Sequence, residues 1–154
     1  MWTGGVRVII PVNGKILMVK QSHEGRDIWM APGGGINDGE TSAQAGIREV
    51  KEETGLDVEI TGIAWHIEEA TPERGQRFVN YMIGKVTGGT FALGKDPELP
   101  DNGQVLKEMK FLSREEIGKL EHINPPFFNE EIWDILNKKE VNNTYKIRKN
   151  FRTE

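Results

Sequence analysis

The stretch that decides the fold is GGINDGETSAQAGIREVKEETGL, residues 34–56. Thr41 can cap a helix, and Gln44 three residues later completes a capping box. Gly55 predicts the end of that helix, because glycine accepts the left-handed backbone that follows a last turn. Gly46 within the helix costs about 1 kcal/mol against alanine, so either close packing requires it or the helix tolerates it. Apolar residues recur at helical spacing and predict the buried stripe: Ala43, Ile47 and Val50.

Three carboxylates crowd the end of this helix. Glu49, Glu52 and Glu53 stand at i, i+3 and i+4, so they share one face. Like charges at that spacing destabilise a helix, and the negative end of the helix dipole disfavours them further. A divalent cation would relieve both effects, because Mg²⁺ prefers carboxylate oxygens. Taken alone, these residues are also compatible with a solvated acidic face whose charge is partly offset by Arg48 and Lys51.

The carboxylates belong to a longer spaced pattern. Gly34 is followed by five residues, then Glu40, then seven residues, then REVKEETGL from residue 48. This resembles the Nudix box, G-x5-E-x7-R-E-U-x-E-E-x-G-U with U aliphatic, at every fixed and aliphatic position. The probability that a sequence of ordinary residue frequencies matches this pattern by chance is on the order of 10⁻⁹ per starting position. Trp29 and the tripeptide at residues 31–33 also resemble the usual approach to the box, and the order of elements looks similar from about residue 6 to residue 136.

The resemblance implies an α+β fold, an α/β/α sandwich with a mixed central sheet and a loop–helix–loop catalytic unit. It implies Mg²⁺, with Mn²⁺ as a substitute, and hydrolysis of a diphosphate bond by metal-activated water. Arg48 would orient the carboxylates, and Glu40 would pair with Arg48 or support the loop. The metal ligands implied are the backbone carbonyl of Gly33 and the side chains of Glu49, Glu52 and Glu53, with Glu52 and Glu53 also catalytic.

Residues outside the box are candidates for the remaining roles. Glu108, just before the end of a late strand, is our candidate for the base or an extra ligand, and Glu98 is its rival. Either is equally compatible with an ordinary surface position. Three arginines are candidates for binding a second phosphate or a ribose: Arg74, Arg77 and Arg7.

The sequence constrains the identity of the substrate less than it constrains the reaction. Pro72 lies sixteen residues after Leu56, where Nudix enzymes that cleave ADP-ribose tend to carry a proline, although a turn proline is an equal interpretation. ADP-ribose or a nucleotide sugar is therefore the first hypothesis, and (d)NTP pyrophosphohydrolysis of the house-cleaning type is the alternative. A non-catalytic nucleotide sensor would be expected to lack box carboxylates. A broad basic surface patch would favour one further interpretation, an RNA 5′-end pyrophosphohydrolase.

Composition narrows the class of protein. The 154 residues suit one domain, which we assign to residues 1–140 with a basic tail at 141–154, solvated in the simplest interpretation. The net charge of −4 argues against a nonspecific nucleic-acid binder. The absence of cysteine fits a cytoplasmic location, and no signal segment or membrane span is expected. A homodimer is one expectation, because dimers are common in the family.

Pattern analysis predicts the other elements. Asn13-Gly14 predicts a hairpin between strands at residues 7–12 and 15–21, with a loop at 22–27 and irregular structure at 31–35. Further strands are expected at residues 58–68, 77–86 and 105–112. Ser113 with Glu116 predicts a second capped helix, and a last helix follows Pro125-Pro126. The dispersed histidines (His23, His66, His122) and the aromatics Trp2, Trp65, Phe127 and Phe128 are interpreted mainly as packing or surface residues.

Overall fold

A computed structural model describes residues 4–73, 75–95, 103–138 and 144–149 of the chain. The elements, in chain order, are β1 Gly4–Ile9, β2 Pro11–Val12, β3 Lys15–His23, β4 Arg26–Met30, β5 Gly33–Gly35, α1 Ser42–Thr54, β6 Leu56–Thr71, β7 Gly75–Gly89, β8 Leu106–Leu112, α2 Arg114–Gly118, α3 Phe128–Leu136 and β9 Tyr145–Lys149. None of the helices in these ranges is long and apolar enough to cross a membrane.

The strands form two sheets. Sheet A has the order β5-β1-β7-β6-β9, with β1 parallel to β7, β6 parallel to β9, and the other pairs antiparallel. Sheet B is antiparallel and contains β2, β3, β4 and β8, with β3 at its centre. The predicted mixed α+β architecture is therefore confirmed.

The helices lie on both sides of sheet A. Gly46 of α1 faces Val8 of β1, and a Cβ there would lie 2.9 Å from a methyl carbon of Val8. Close packing is therefore the reason for a glycine within this helix. The main core lies on the opposite face of sheet A, between that face, sheet B and helices α2 and α3. Its largest fully buried members are Trp65, Phe128, Ile9, Ile16, Met18, Ile67, Ile117 and Ile132.

Local turn and capping signals are confirmed. Asn13 and Gly14 both have positive φ, 51° and 77°, as the hairpin prediction required. Thr41 and Ser113 each form the expected capping box, and Gly55 takes the left-handed conformation after α1.

Other local predictions are wrong. The expected loop at residues 22–27 is mostly strand, because β3 continues to His23 and β4 begins at Arg26 around a turn at Glu24 and Gly25. The glycine run, expected to be irregular, forms β5 because the free edge of β1 offers its backbone groups. Strands β6 and β7 are also longer than predicted, at Leu56–Thr71 and Gly75–Gly89.

The predicted buried face of α1 is only partly correct. Val50 is buried, but Ile47 is 40% exposed and Ala43 is half-buried. The face that contacts sheet A is made by Ala45, Gly46, Val50 and Thr54. Small residues let this helix approach the sheet closely. The spacing of apolar residues alone does not predict this contact face.

The solvated-tail interpretation is wrong for Tyr145–Lys149. These residues form β9 and pair in parallel with β6, from His66 with Tyr145 to Ala70 with Lys149. Alternating exposure along β9 shows that one of its faces packs against the molecule.

Candidate functional site

The end of α1 lies against the glycine strand β5. The backbone N–H of Gly33 donates to Glu53 Oε1 at 2.9 Å. The Glu49 carboxyl group occupies the space beside Gly34, where a Cβ would lie 2.7 Å from it. At Gly33, a Cβ would lie 2.0 Å from the Val6 carbonyl oxygen. These glycines therefore let the helix carboxylates, the loop and β1 approach one another closely.

Arg48 connects the loop to two of the helix carboxylates. Its Nε and Nη2 donate to the two oxygens of Glu40 at 2.8 and 2.9 Å. Nη2 also donates to the Gly35 carbonyl at 2.9 Å. Nη1 donates to Glu49 at 3.0 Å and to Glu52 at 3.3 Å. The pairing of Glu40 with Arg48, implied by the resemblance, is thus present, and it fixes the guanidinium between loop and helix.

Burial perturbs the acidity of the carboxylates. Burial raises the pKa of Glu53 to about 7, although Arg7 and the Gly33 N–H act in the opposite direction. Burial also raises the pKa of Glu49, against the influence of Arg48. The hydrogen bonds from Arg48 lower the pKa of Glu40 and, reciprocally, raise that of the Arg48 guanidinium. Burial therefore disfavours the ionised forms of Glu53 and Glu49.

The donor chemistry of this site fits a hard divalent cation. Glu49, Glu52 and Glu53 offer carboxylate oxygens, and burial disfavours the ionised form of Glu53, which a bound cation would stabilise. In the part of the chain that the structure describes, however, no three acidic or histidine side chains converge into a preformed metal site. Glu49 and Glu52 hydrogen-bond to Arg48, so binding a cation requires them to exchange those bonds.

Glu108 lies on β8 in sheet B. Its carboxylate contacts Lys20 at 3.1 Å and Lys110 at 2.9 Å. These hydrogen bonds lower its pKa, chiefly the bond from Lys110. A carboxylate held between two ammonium groups is a weak proton acceptor. The structure therefore gives Glu108 little support as a base, and the rival Glu98 lies outside the described residues.

Two of the three arginines that are candidates for substrate binding lie within the described residues. Arg7 lies beside Gly33 and donates to the Ala31 carbonyl at 2.8 Å. Arg77 lies on β7 and contacts Glu69 at 3.8 Å. Arg74 is outside the described residues. Pro72 is exposed in the turn between β6 and β7, as the turn interpretation expects.

The histidines and most candidate aromatics have other partners. His66 hydrogen-bonds to Asn80, His23 to Gln21, and His122 is exposed. Trp65 and Phe128 are core residues, and Phe127 packs edge-on against Trp65. Trp2 is outside the described residues. A cavity of about 450 Å³ near the end of α3 is lined by other residues, among them Pro11, Ile83 and Trp133.

Arg148 falls in the segment that the sequence analysis assigned to a basic tail. It lies on β9 and is 15% exposed, with Nη1 donating to Asn124 at 3.1 Å and lying 3.7 Å from Glu69. The alternation of the segment YKIRK was a signal for a strand, but a basic tail was the simpler interpretation.

This chain is similar in sequence or in structure to several named proteins. A protein from Sphingopyxis alaskensis, named RNA pyrophosphohydrolase, is 30% identical over 79 residues, which is 51% of this chain and 48% of that protein. The chain spans less than half the length of this curated relative. A NUDIX hydrolase structure from Nitrosomonas europaea has a TM-score of 0.70 at 22% identity and covers 92% of this chain and 93% of that one.

An ADP-ribose pyrophosphatase from Streptococcus suis has a TM-score of 0.64 at 18% identity, covering 96% of this chain and 99% of that chain. At such identities, structural likeness shows the fold alone. The family model of the NUDIX domain matches residues 1–131, which include the whole box and its carboxylates. The chain therefore belongs to the NUDIX domain family.

Proposed function

We propose that this protein is a Mg²⁺-dependent hydrolase that cleaves the diphosphate bond of a nucleoside diphosphate derivative. The observation that supports this most directly is the contact of Glu53 with Gly33, beside Glu49 and the Arg48–Glu40 pair. This arrangement collects carboxylate oxygens at a loop with little side-chain bulk. Phosphate groups can approach such a backbone closely. The complete set of carboxylates also argues against a sensor without turnover.

In this proposal Glu49, Glu52 and Glu53 hold the cation, together with the Gly33 carbonyl. Mg²⁺ bound there would supply charge neutralisation of the diphosphate and activation of the attacking water. The water oxygen forms a bond to phosphorus, the anhydride P–O bond breaks, the leaving phosphate takes the electron pair, and the proton of the attacking water passes to solvent.

The chain's own residues prepare this site. Arg48 holds Glu49 and Glu52 on the side of α1 that faces the loop, and Glu40 fixes Arg48. Glu53 is held beside the glycine strand by the Gly33 N–H, which donates to its Oε1 at 2.9 Å. In this proposal Arg7, which lies beside Gly33, binds a phosphate oxygen.

ADP-ribose or a nucleotide sugar remains our first proposal for the substrate, with (d)NTP pyrophosphohydrolysis as the alternative. Pro72 adds little support, since its position in an exposed turn explains it without a substrate.

RNA 5′-end pyrophosphohydrolysis is a further candidate because the Sphingopyxis relative carries that name. The charge balance favours it less. Two basic residues of the C-terminal strand face acidic partners, Lys146 with Glu131 at 2.8 Å and Arg148 with Glu69 at 3.7 Å. These two residues therefore do not provide a broad basic surface for a polynucleotide.

Hydrolysis of a substrate panel with Mg²⁺, and again with Mn²⁺, tests the proposal. The panel contains ADP-ribose, nucleotide sugars, dinucleoside polyphosphates, common and oxidised (d)NTPs, and 5′-triphosphorylated RNA, with products identified by chromatography. AMP and ribose 5-phosphate from ADP-ribose would support the first substrate. Pyrophosphate from triphosphates would support the alternative. No turnover of any substrate would overturn the enzymatic proposal.

Location and assembly remain predictions. The lack of cysteine is compatible with a cytoplasmic protein, and a homodimer is expected from the family resemblance. Light scattering at several concentrations would measure the assembly directly.

A further inference from the structure

The end of α1 is covered by residues 90–94, a segment that follows β7 and that we call the strap. Its backbone N–H groups donate to three successive carbonyl oxygens at the end of the helix: Thr90 to Gly55 at 3.1 Å, Ala92 to Thr54 at 2.9 Å and Gly94 to Glu53 at 2.7 Å. The last carbonyl groups of a helix lack partners within the helix. The strap therefore supplies backbone donors to the end of α1.

Gly94 brings the strap into close contact with the helix backbone. A Cβ on Gly94 would lie 1.9 Å from the Glu52 carbonyl oxygen and 2.9 Å from Glu53 Cα. Close-packed atoms do not approach one another so closely, so any larger residue at position 94 must separate the strap from α1. The backbone atoms that it would displace belong to two of the carboxylates proposed to bind the metal.

The strap is anchored to both sheets. At its start, Gly89 of β7 pairs in register with Leu56, the first residue of β6 in sheet A. Phe91 of the strap packs against Phe111 of β8 in sheet B, with ring centroids 5.4 Å apart. Phe111 in turn packs against the buried cluster that contains Val50 of α1. The strap therefore fixes the last turn of α1 relative to the rest of the fold.

Glu53 is held at both its backbone and its side chain. Its carbonyl oxygen accepts from Gly94, and its carboxylate accepts from the Gly33 N–H at 2.9 Å. Mg²⁺ requires nearly octahedral geometry with ligands at about 2.0–2.1 Å, and a functional site needs its side chains held to within about 0.5 Å. Relieving the contact of a Cβ at position 94 from 1.9 Å to 3.0 Å requires a movement of about 1 Å, which exceeds this tolerance.

The strap also affects the charge at this end of the helix. Carbonyl groups without partners form the negative end of the helix dipole, which disfavours nearby carboxylates. The N–H groups of Thr90, Ala92 and Gly94 place their positive ends against these carbonyls. They therefore reduce the repulsion that Glu52 and Glu53 experience from the helix backbone.

We propose that the strap positions the metal-binding carboxylates of α1, with Gly94 as the positioning residue that sets the place of Glu53. The proposal rests on the proposed function, because it takes Glu49, Glu52 and Glu53 as the metal ligands. It goes beyond that function by assigning a role to a segment outside residues 34–56, which carry the Nudix box.

Metal binding without turnover tests the proposal. Electron paramagnetic resonance of free Mn²⁺ measures the dissociation constant with no nucleotide present. Gly94→Ala adds the Cβ that displaces the strap, and Gly88→Ala is its control, because a Cβ on Gly88 would meet the Asp57 carboxylate at 3.5 Å, an ordinary contact. In a second pair, Ala92→Pro removes the donor to Thr54, whereas Ala92→Ser keeps it at the same exposed position.

We expect Gly94→Ala to weaken Mn²⁺ binding about 10–100-fold, the range for groups that orient metal ligands. Ala92→Pro should weaken it less, because the donors at Thr90 and Gly94 remain. Both controls should bind Mn²⁺ as the wild-type protein does. A merely structural role for the strap would lower the unfolding temperature in EDTA and leave the Mn²⁺ dissociation constant of the folded protein unchanged.

Wild-type Mn²⁺ affinity in both Gly94→Ala and Ala92→Pro would overturn the proposal, and so would an equal loss in either control. If Gly94→Ala does not fold, the Ala92 pair decides. Glu53→Gln separates this failure from that of the proposed function. Weak Mn²⁺ binding in Glu53→Gln but not in the strap variants would overturn only the role of the strap. Equal Mn²⁺ binding by Glu53→Gln and the wild-type protein would overturn the metal site, and the strap proposal with it.

Discussion

The acidic end of α1 and the arginine–glutamate contacts of sheet A differ in how the chain assembles them. Glu49, Glu52 and Glu53 lie within five consecutive residues, so helix geometry alone places them on one face. The contacts on sheet A join Glu69 of β6 to Arg77 of β7 and Arg148 of β9, and only strand register brings these residues together. The comparison teaches that local periodicity reveals the first kind of site, whereas the second depends on which strands become neighbours.

The two clusters also differ in their charge balance. Arg48 hydrogen-bonds to Glu49 and Glu52, whereas burial raises the pKa of Glu53 to about 7. On sheet A, Glu69 lies 3.8 Å from Arg77 and 3.7 Å from Arg148, so opposite charges already meet there. The acidic end of α1 therefore offers carboxylate oxygens to a cation. The following predictions test this acidic side of the comparison.

The largest effect is expected for Glu53→Gln. This change keeps the shape of the side chain and its acceptor for the Gly33 N–H, but it removes the charge that the metal needs. We expect kcat to fall by several orders of magnitude in steady-state assays of the best panel substrate. Glu115→Gln, at a side chain that is 83% exposed on α2, is the matched control and should keep normal activity. Near-normal activity of Glu53→Gln would show that the metal site is wrongly assigned.

A smaller loss is expected for Arg48→Gln. The variant loses the two-bond pair with Glu40 and the contacts that orient Glu49 and Glu52. Loss of a partner that orients metal ligands typically costs about 10–100-fold in metal affinity or activity. Titration of activity with Mg²⁺ should show a raised metal requirement. Lys51→Gln, one turn away and exposed, is the control; a metal requirement unchanged in Arg48→Gln would contradict the orienting role.

The smallest effect concerns stability without metal. The pKa of Glu53 in the folded protein, about 7, lies above the ordinary 4.5, so folding favours the protonated form. Its contribution to the free energy of unfolding is therefore full below about pH 4.5 and is lost as the pH rises through 7. In EDTA, Glu53→Gln should unfold a few degrees above the wild-type protein at pH 8, and the difference should vanish near pH 4.5.

Thermal unfolding monitored by circular dichroism measures this difference. Added Mg²⁺ should raise the unfolding temperature of the wild-type protein more than that of the variant, because a ligand stabilises the state that binds it. A variant less stable than the wild-type protein at pH 8 in EDTA would contradict the raised pKa of Glu53.

Local signals predicted several elements because their causes lie within a few residues. The Asn13-Gly14 turn, both capping boxes and the left-handed Gly55 each depend on the immediate backbone and its neighbours. The Glu40–Arg48 pair was implied by the Nudix resemblance and is present. The glycine strand β5 was missed because its hydrogen bonds go to β1, and its sequence offers no side-chain pattern.

The sequence by itself determined the carboxylate face of α1, its caps, the box and hence the family, because these are encoded by spacing within a single segment. Only the tertiary structure decided that small residues such as Ala45 and Gly46 turn toward sheet A and that Ile47 is left exposed. It also decided that a basic C-terminal segment joins β6 and carries Arg148 to the face shared with Arg7. The physical reason is that strand pairing and helix packing are long-range choices, fixed by the free edges and surfaces that the rest of the fold provides.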